Sequence, residues 1–483
     1  MTPRRLTLSR SYLLSIALEI GALGAILLPS GNAQATQPLE TFLDAARRTS
    51  FDVREQRATV EQRSWETESA FGRLLPAASA RGVYTRNQYA AEIPAGTFGP
   101  NPITLTPQDQ FDLFLQVDVP LVDLANYQRL GQARHFANAS SAQLELSQND
   151  VQRAVARAYY AYIGGTALVK AAERSQKIAE DNLAFVITRH ENGVATELDR
   201  ERARATVEQS KQNLADTELL SIQAARNLET VSGIAPTEVV EFPIDDLHPE
   251  QPLATWLGYR DTPADRVQAE LSKAATKGKK AAAYALLPTL SANGQERITN
   301  AAGFTGHSSV YTVQGMLSWR FDYSAYSTAQ AQAHALDAQQ VRAEHTRRNV
   351  EDDIFNAWER VRTGIVKSAS ARVQAEAAVR AETLSLARYQ AGALTQLDVT
   401  QAQRDAFQSQ ASRIQADADL QYARVLLRLT AGKPPRVEPS TIPPVQAKDL
   451  GVNAPLAPPA ADSPAATPSP AAPPSPTAPA APR

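Results

Sequence analysis

Cysteine is absent from the 483 residues, which excludes disulfides, thiol nucleophiles, cysteine-ligated metals and lipid attached to an N-terminal cysteine. A basic excess is also absent, since 49 Lys and Arg stand against 51 Asp and Glu. Neutralising the phosphates of a nucleic acid needs such an excess, so we expect no nucleic-acid partner. Methionine occurs only at Met1 and Met316, which disfavours a relay of soft ligands for Cu(I).

Long apolar runs are confined to the N-terminus. Residues 1–35 join a basic start to an apolar stretch and an A-x-A site at residues 33–35, which predicts a cleaved signal peptide. The alternative is an N-terminal membrane anchor, for which the apolar run is short. Residues 437–483 are rich in Pro and Ala, which predicts a disordered tail. No segment between them approaches 18 consecutive apolar residues, so we expect no membrane-spanning helix there.

Proline is missing from two long segments, residues 124–190 and 325–390, which are rich in Ala, Gln, Arg and Glu. This composition predicts helices, each about 100 Å long at 1.5 Å per residue. Asp123 and Asp322 precede them and are good N-cap residues. Four further helices are predicted, two shorter ones near 52–75 and 264–287 and two returning ones at 194–232 and 394–430.

The two long segments belong to a repeat. From Asp123 and Asp322 onward, matching residues recur at a constant separation of 199 positions, and the tripeptide Leu-Leu-Pro occurs at 74–76 and 286–288. Two copies indicate an internal duplication rather than a solenoid. We therefore divide the chain into a signal peptide (1–35), a first repeat (36–236), a connector or equatorial region (237–262), a second repeat (263–436) and a tail (437–483).

Apolar and polar residues alternate with a period of two in residues 110–119, 289–298 and 311–323. The alternation of residues 77–89 is weak, and a strand is predicted there mainly because the repeat requires one. We therefore predict one β-hairpin in each repeat, at 77–121 and 288–322. In residues 110–119 only Phe114 breaks the alternation. Such strands fit either a sheet on a soluble core or a membrane β-barrel. Aromatic residues near the strand ends favour the barrel, because they suit the membrane interface; they are Tyr89, Phe98, Phe111, Trp319, Phe321 and Tyr323.

Four strands cannot close a barrel, and open sheet edges are not tolerated in lipid. A membrane barrel would therefore need several chains. Two chains would supply eight strands and three would supply twelve, and the residues alone do not choose between them.

A glycine-centred motif, G-x-x-T-x-L-D, separates the two long helices of each repeat, as GVATELD at 193–199 and GALTQLD at 392–398. Gly193 and Gly392 predict a left-handed turn that reverses the chain. Thr196 and Thr395 then suit the N-caps of the returning helices. For Asp199 we expect a favourable charge at a helix N-terminus.

Together, the signal peptide, repeated halves, Leu-Leu-Pro tripeptides, long helices and G-x-x-T-x-L-D breaks make residues 38–436 resemble the TolC-type outer-membrane efflux proteins. The resemblance implies an α+β membrane protein whose chains each give four strands to a shared twelve-stranded outer-membrane barrel of a homotrimer. It implies that a long α-helical barrel continues this duct into the periplasm of a Gram-negative cell. The expected function is the exit channel of a tripartite efflux or type I secretion system.

The resemblance also implies partners and site residues. The partners are outer-membrane lipid, a periplasmic adaptor and an inner-membrane transporter. The adaptor would dock on the two helix tips, through Asn192, Gly193, Val194 and Thr196 of the first and Ala391, Gly392, Ala393 and Thr395 of the second. The pore gate would use Asp398, Gln401, Tyr389 and Asp199. Gln401 stands where the family often has a second acid, which puts a doubly acidic gate in doubt.

Three observations bear on the alternatives. No convergent set of titratable groups indicates an enzyme, and a hydrolase within residues 233–262 lacks any supporting constellation. His334 and His345 would lie about 16 Å apart along one helix, too far to share a metal, so we expect neither metal nor cofactor. A periplasmic coiled-coil adaptor without a barrel stays open as the second hypothesis. The sequence does not identify the cargo.

Overall fold

The structure is a computed structural model that describes residues 37–94, 96, 100, 102–237, 242–258 and 261–435. The predicted signal peptide, the predicted tail and Phe98 lie outside the described residues. The helices are α1 (Leu39–Thr49), α2 (Phe51–Gly72), α3 (Leu124–Glu191), α4 (Glu197–Ser232), α5 (Leu253–Leu257), α6 (Pro263–Tyr284), α7 (Tyr323–Gln390) and α8 (Gln396–Thr430). The strands are β1 (Ala77–Arg86), β2 (Ala91–Ile93), β3 (Ile103–Thr106), β4 (Asp109–Val122), β5 (Thr289–Thr299) and β6 (Ser309–Ser318).

Four strands form one antiparallel sheet in the order β1-β4-β5-β6, and β2 pairs with β3 in a small separate ribbon. The apolar face of the large sheet is exposed rather than packed on other elements. Phe111 is 58% exposed, whereas the neighbouring Asp112 on the other face is 7% exposed. A sheet lying on a soluble core buries its apolar face instead. The outer edges of β1 and β6 pair with no other strand in the described part of the chain.

Phe114 and Glu296 are among the side chains that depart from the alternation of the sheet. Phe114 lies on the polar face, between Asp112 and Gln116 in the strand. Glu296 lies on the apolar face, where its carboxylate accepts a hydrogen bond from the Ser309 hydroxyl at 2.7 Å.

The helices α3 and α7 contain 68 residues each and begin after the expected caps. The Asp123 carboxylate accepts a hydrogen bond from the Asn126 N–H at 2.8 Å, and the Asp322 carboxylate accepts one from the Ala325 N–H at 2.7 Å. α3 packs along α4, α7 packs along α8, and α3 joins the two pairs through α8. The buried positions of α3 include many small residues, which allow close approach of helices; they are Ala139, Ala142, Ala156, Ala158, Ala172 and Ala179.

Several boundaries differ from the predictions. The helices α2 and α6 end at Gly72 and Tyr284, before the predicted 75 and 287, because a residue that precedes proline disfavours helical backbone. The strand β6 ends at Ser318 rather than near 322, since Asp322 has to cap α7.

Two further departures concern helix starts. The helices α4 and α8 begin at Glu197 and Gln396 rather than at 194 and 394, because Thr196 and Thr395 are their N-caps. The helix α1 was not predicted, and Ser50 separates it from α2.

A buried arginine holds the connector on the helices. Arg424 of α8 is fully buried and donates hydrogen bonds to both carboxylate oxygens of Asp245, at 2.8 and 3.0 Å. It also donates to the Glu250 carboxylate at 2.8 Å and to the backbone carbonyl of His248 at 2.7 Å. Arg372 of α7 donates to the backbone carbonyl of Asp245 at 2.8 Å. Residues 242–258 are therefore fixed to α7 and α8 by charge.

Asp245, Asp246 and His248 bring three metal-ligand atoms close together. Both oxygens of Asp245 already accept from Arg424, and His248 Nε2 lies 3.0 Å from Arg424 Nη1. The guanidinium supplies the positive charge that a metal ion would bring, so this cluster serves as an anchor. None of the helices in the described ranges has a stretch apolar and long enough to cross a bilayer.

Candidate functional site at the helix tips

The long helices are joined by two tight turns, at Gly193 between α3 and α4 and at Gly392 between α7 and α8. Gly193 has a φ of 73° and Gly392 a φ of 78°, which is the left-handed conformation that the motif predicted. A Cβ added at either glycine would meet no other atom within 4 Å. The backbone conformation, rather than crowding, is therefore what favours glycine at both tips.

Both turns have the hydrogen bonds of a Schellman motif, in which backbone N–H groups beyond the helix satisfy its last carbonyls. At the first tip the Val194 N–H donates to the Arg189 carbonyl at 2.8 Å. At the second tip the Ala393 N–H donates to the Arg388 carbonyl at the same distance. The two tips thus have the same local structure, as their shared motif predicted.

Each returning helix starts with a capping box, in which a Thr and an Asp satisfy each other's backbone N–H groups. At the second tip the Asp398 carboxylate accepts from the Thr395 hydroxyl at 2.7 Å and from the Thr395 N–H at 3.0 Å. These hydrogen bonds, the side-chain one first, hold the pKa of Asp398 below its ordinary value. Thr196 and Asp199 form the matching box at the first tip. Asp398 is therefore an exposed, firmly ionised carboxylate at the start of α8.

Replacing Thr395 by alanine is expected to destabilise the first turn of α8 by about 1 kcal/mol, the usual cost of losing an N-cap hydroxyl. The same change removes the strongest hydrogen bond to Asp398, so the pKa of that carboxyl should rise toward its ordinary value. Hydrogen–deuterium exchange followed by mass spectrometry should show faster exchange in peptides that begin at the tip. Thr395→Ser keeps the hydroxyl and should exchange like the wild type; equal exchange in Thr395→Ala would contradict the capping role.

Tyr389, in the last turn of α7, packs between the two helix pairs. It is 5% exposed and belongs to an apolar cluster with Val186 of α3, Ala203 of α4 and Val399 of α8. The ring of Phe185 meets it edge-on, with ring centroids 6.1 Å apart. Burial raises the pKa of the Tyr389 phenol above its ordinary value. Tyr389 thus belongs to an apolar cluster that joins the second helix pair, α7 and α8, to the first pair, α3 and α4.

Arg189 of α3 is a functional candidate that sequence reasoning missed. Its guanidinium donates to the backbone carbonyl of Tyr389 at 3.0 Å, and its carbon Cζ lies 5.1 Å from the centre of the Tyr389 ring. It therefore binds a carbonyl at the C-terminal end of α7, where a positive charge is favourable. The repeat places Arg388 at the matching position of the second half, so the sequence alone gave no reason to prefer Arg189.

Three buried amides lie within one helical turn of this apolar cluster. Asn182 precedes Val186 on α3, while Gln396 and Gln403 lie on either side of Val399 on α8. Within the described part of the chain, neither polar side-chain atom of any of the three has a hydrogen-bond partner. An unpaired buried polar group costs about 1–3 kcal/mol, so this seam between the helix pairs is weaker than an apolar one of the same size.

The other predicted site residues lie on the surface of the tips. Gln401 is exposed and donates to the Asp405 carboxylate at 2.9 Å, one turn above Asp398. Asn192 is exposed and donates to the Thr188 carbonyl at 2.8 Å. Val194 is 65% exposed. The remaining predicted docking residues are exposed too, namely Gly193, Thr196, Ala391, Gly392, Ala393 and Thr395.

Comparison with known proteins gives the family. The sequence model described as "Outer membrane efflux protein" matches residues 42–234. These residues belong to the outer membrane efflux protein family. No curated protein sequence matches the chain. The predicted resemblance is thereby confirmed, and with it the assignment of the chain to the outer membrane.

Solved structures share the fold of this chain over most of its length. The Campylobacter jejuni CmeC outer membrane channel is 15% identical, with a TM-score of 0.71 over 86% of this chain and 94% of that one. The open state of the Neisseria gonorrhoeae MtrE outer membrane channel is 18% identical, with a TM-score of 0.68 over 83% and 90%. The outer membrane protein VceC from Vibrio cholerae is 14% identical, with a TM-score of 0.69 over 82% and 96%.

Proposed function

We propose that three copies of this chain form an outer-membrane efflux channel with one shared barrel. The observation that carries the proposal is the large sheet, whose apolar face points outward and whose edge strands have no partner among the described residues. Outward apolar and inward polar residues are what a barrel in lipid requires. A closed ring of several sheets would pair every edge, and three sheets of four strands make twelve.

The helices would continue the duct on the periplasmic side. The 68 residues of α3 and of α7 are each about 100 Å long. The equal lengths of these helices and the two matching tips support an internal duplication of the chain. Exposed apolar residues on the unpaired sides of α4 and α7 would then pack between neighbouring copies; they include Leu219, Leu220, Ile222, Phe355 and Val366.

The helix tips would close the pore and dock the partners. Tyr389, clamped by Arg189, would hold the second helix pair against the first, and the unpaired amides nearby would keep this closed seam weak enough to open. The exposed tip residues from Asn192 to Thr196 and from Ala391 to Thr395 would contact a periplasmic adaptor, which links the channel to an inner-membrane transporter. Three copies of Asp398 would form the charged ring of the gate, with Gln401 adding no charge and Asp199 capping α4.

Purified protein added to planar lipid bilayers should give discrete, long-lived single-channel currents. Deleting residues 77–119, which removes β1, β2, β3 and most of β4, should abolish the currents and move the protein out of the membrane fraction. A protein that stays in the membrane fraction without these strands would contradict the barrel. A wild-type protein found only in the soluble periplasm would favour an adaptor without a barrel.

The charge of Asp398 should control block of the current by trivalent lanthanum. In the wild type we expect block from the tip side, and in Asp398→Asn we expect most of it to disappear. Because the folded-state pKa of Asp398 is lowered, the carboxylate and the block should persist as the pH falls to about 4, the ordinary pKa of an aspartate, and vanish only below it. Asp405→Asn changes an acid two turns higher on α8 and is the matched control. Unchanged block in Asp398→Asn would contradict a role for this residue in the gate.

A further inference from the structure

The polar face of the sheet has a cross-strand row that the channel function leaves unexplained. The register sets Arg81 of β1 opposite Phe114 of β4, and Phe114 opposite Arg297 of β5. The Cζ atoms of Arg81 and Arg297 lie 5.0 and 5.8 Å from the centre of the Phe114 ring. These distances are those of cation–π contacts. The phenylalanine that breaks the alternation of β4 is thus a platform for two guanidinium groups.

The two arginines differ in how far their charge is neutralised. Arg297 donates from Nε and Nη2 to one oxygen of Asp112, at 2.8 and 2.7 Å, and that aspartate is buried. Arg81 is exposed, and it forms no ion pair with any residue of the described ranges. Each chain therefore has one uncompensated positive charge in this row.

The remaining acid on this face is too distant to neutralise Arg81. Asp118 lies four residues from Phe114 along β4, about 13 Å at the usual rise of a strand. Charges at such a distance are largely screened, since the Debye length is about 8 Å at physiological ionic strength. The carboxylate of Asp118 is instead satisfied by Asn293, at 2.6 Å, and by Gln116, at 2.9 Å.

We propose that Arg81, held against Phe114, is an anion-binding site that selects solutes inside the barrel. The inference rests on the proposed function, because the polar face lines a lumen only if the barrel forms. Three copies would then present three guanidinium groups at one level, and arginine rings of this kind favour anions. The planar donor fork of arginine suits carboxylate, sulfonate and phosphate groups. The ligand class is therefore a multivalent organic anion.

Block of single-channel current by naphthalenetrisulfonate tests the site. The probe is added to each side of the bilayer in turn, and we expect block of the wild type from the barrel side, away from the tips. In Arg81→Gln the concentration for half-block should rise by about tenfold or more, the loss expected for one charge-assisted hydrogen bond. Arg81→Lys keeps the charge and should retain much of the block.

The matched control is Arg86→Gln. Arg86 lies on the same strand but on the opposite face, where it pairs with Asp109 at 3.3 Å, so its loss should leave the block unchanged. Wild-type conductance without the probe shows that each variant has folded and assembled. If channels form and Arg81→Gln is blocked like the wild type, the proposed anion site is wrong, whereas the proposed channel function is unaffected. If the wild type forms no channels, the proposed function itself fails.

Discussion

Replacing Arg424 by methionine should release the connector and lower the free energy of unfolding by about 3–5 kcal/mol, the usual cost of breaking a buried ion pair. Methionine fits the space of the arginine stem but satisfies none of its partners. Asp245 and Glu250 would stay buried without a positive charge beside them, and the connector would lose its main attachment to α8. Limited proteolysis should then cut within residues 242–258, and thermal unfolding in detergent should begin at lower temperature.

Two comparisons separate this effect from a general loss of charge on α8. Arg413→Met removes an exposed arginine of the same helix and should change neither the proteolysis pattern nor the unfolding temperature. Adding Asp245→Asn and Glu250→Gln to Arg424→Met should recover part of the lost stability, because the orphaned carboxylates are then neutral. Protection of the connector in Arg424→Met equal to that of the wild type would contradict its role as an anchor.

Tyr389→Ala should open the tips and raise single-channel conductance several-fold. Removing a buried aromatic side chain costs about 3–5 kcal/mol, and at this position the loss falls on the seam between the two helix pairs. The neighbouring amides Asn182 and Gln403 have no hydrogen-bond partner among the described residues, and they gain hydrogen bonds to water once the seam opens. The equilibrium should therefore shift from the closed to the open state. Single-channel currents in planar bilayers measure this shift directly.

Tyr389→Phe is the matched control for the seam. Among the described residues no hydrogen bond to the Tyr389 hydroxyl is present, so phenylalanine keeps the packing and the contact with Arg189. We expect wild-type conductance from it. An unchanged conductance in Tyr389→Ala, with the channel assembled, would mean that another contact holds the tips closed.

Much of the fold was accessible from the sequence because its strongest signals are local. The long runs without proline, the Asp caps and the period-two strands each depend on residues close in the chain. The glycines of the two tips were predictable for the same reason, since a left-handed turn requires them. Two features were harder to predict because their signals are weaker. The helix α1 is short, and the end of α6 depends on Leu287, which precedes a proline.

The candidate site was less accessible, because it depends on contacts between distant segments. In the sequence Arg424 is one of many charged residues on a helix. Its role depends on Asp245, which lies 179 positions away in the chain and contacts it only in the folded protein. Arg189 and Arg388 occupy equivalent positions in the repeat, and only the contact of Arg189 with Tyr389 of α7 distinguishes them. In the sequence Phe114 only breaks the alternation of β4. Its contacts with Arg81 and Arg297 become visible once the strand register is known.

The shared barrel is tested most directly by covalent linkage of the free sheet edges. The chain has no cysteine, so Ala80→Cys on β1 can be combined in turn with single cysteines along β6, such as Val313→Cys. Within one chain these strands are about 14 Å apart, three strand spacings, which is too far for a disulfide. Oxidation in the membrane should therefore give a covalent trimer on a denaturing gel and nothing larger. Products that stop at a dimer, or that continue beyond three chains, would contradict a twelve-stranded barrel built from three copies.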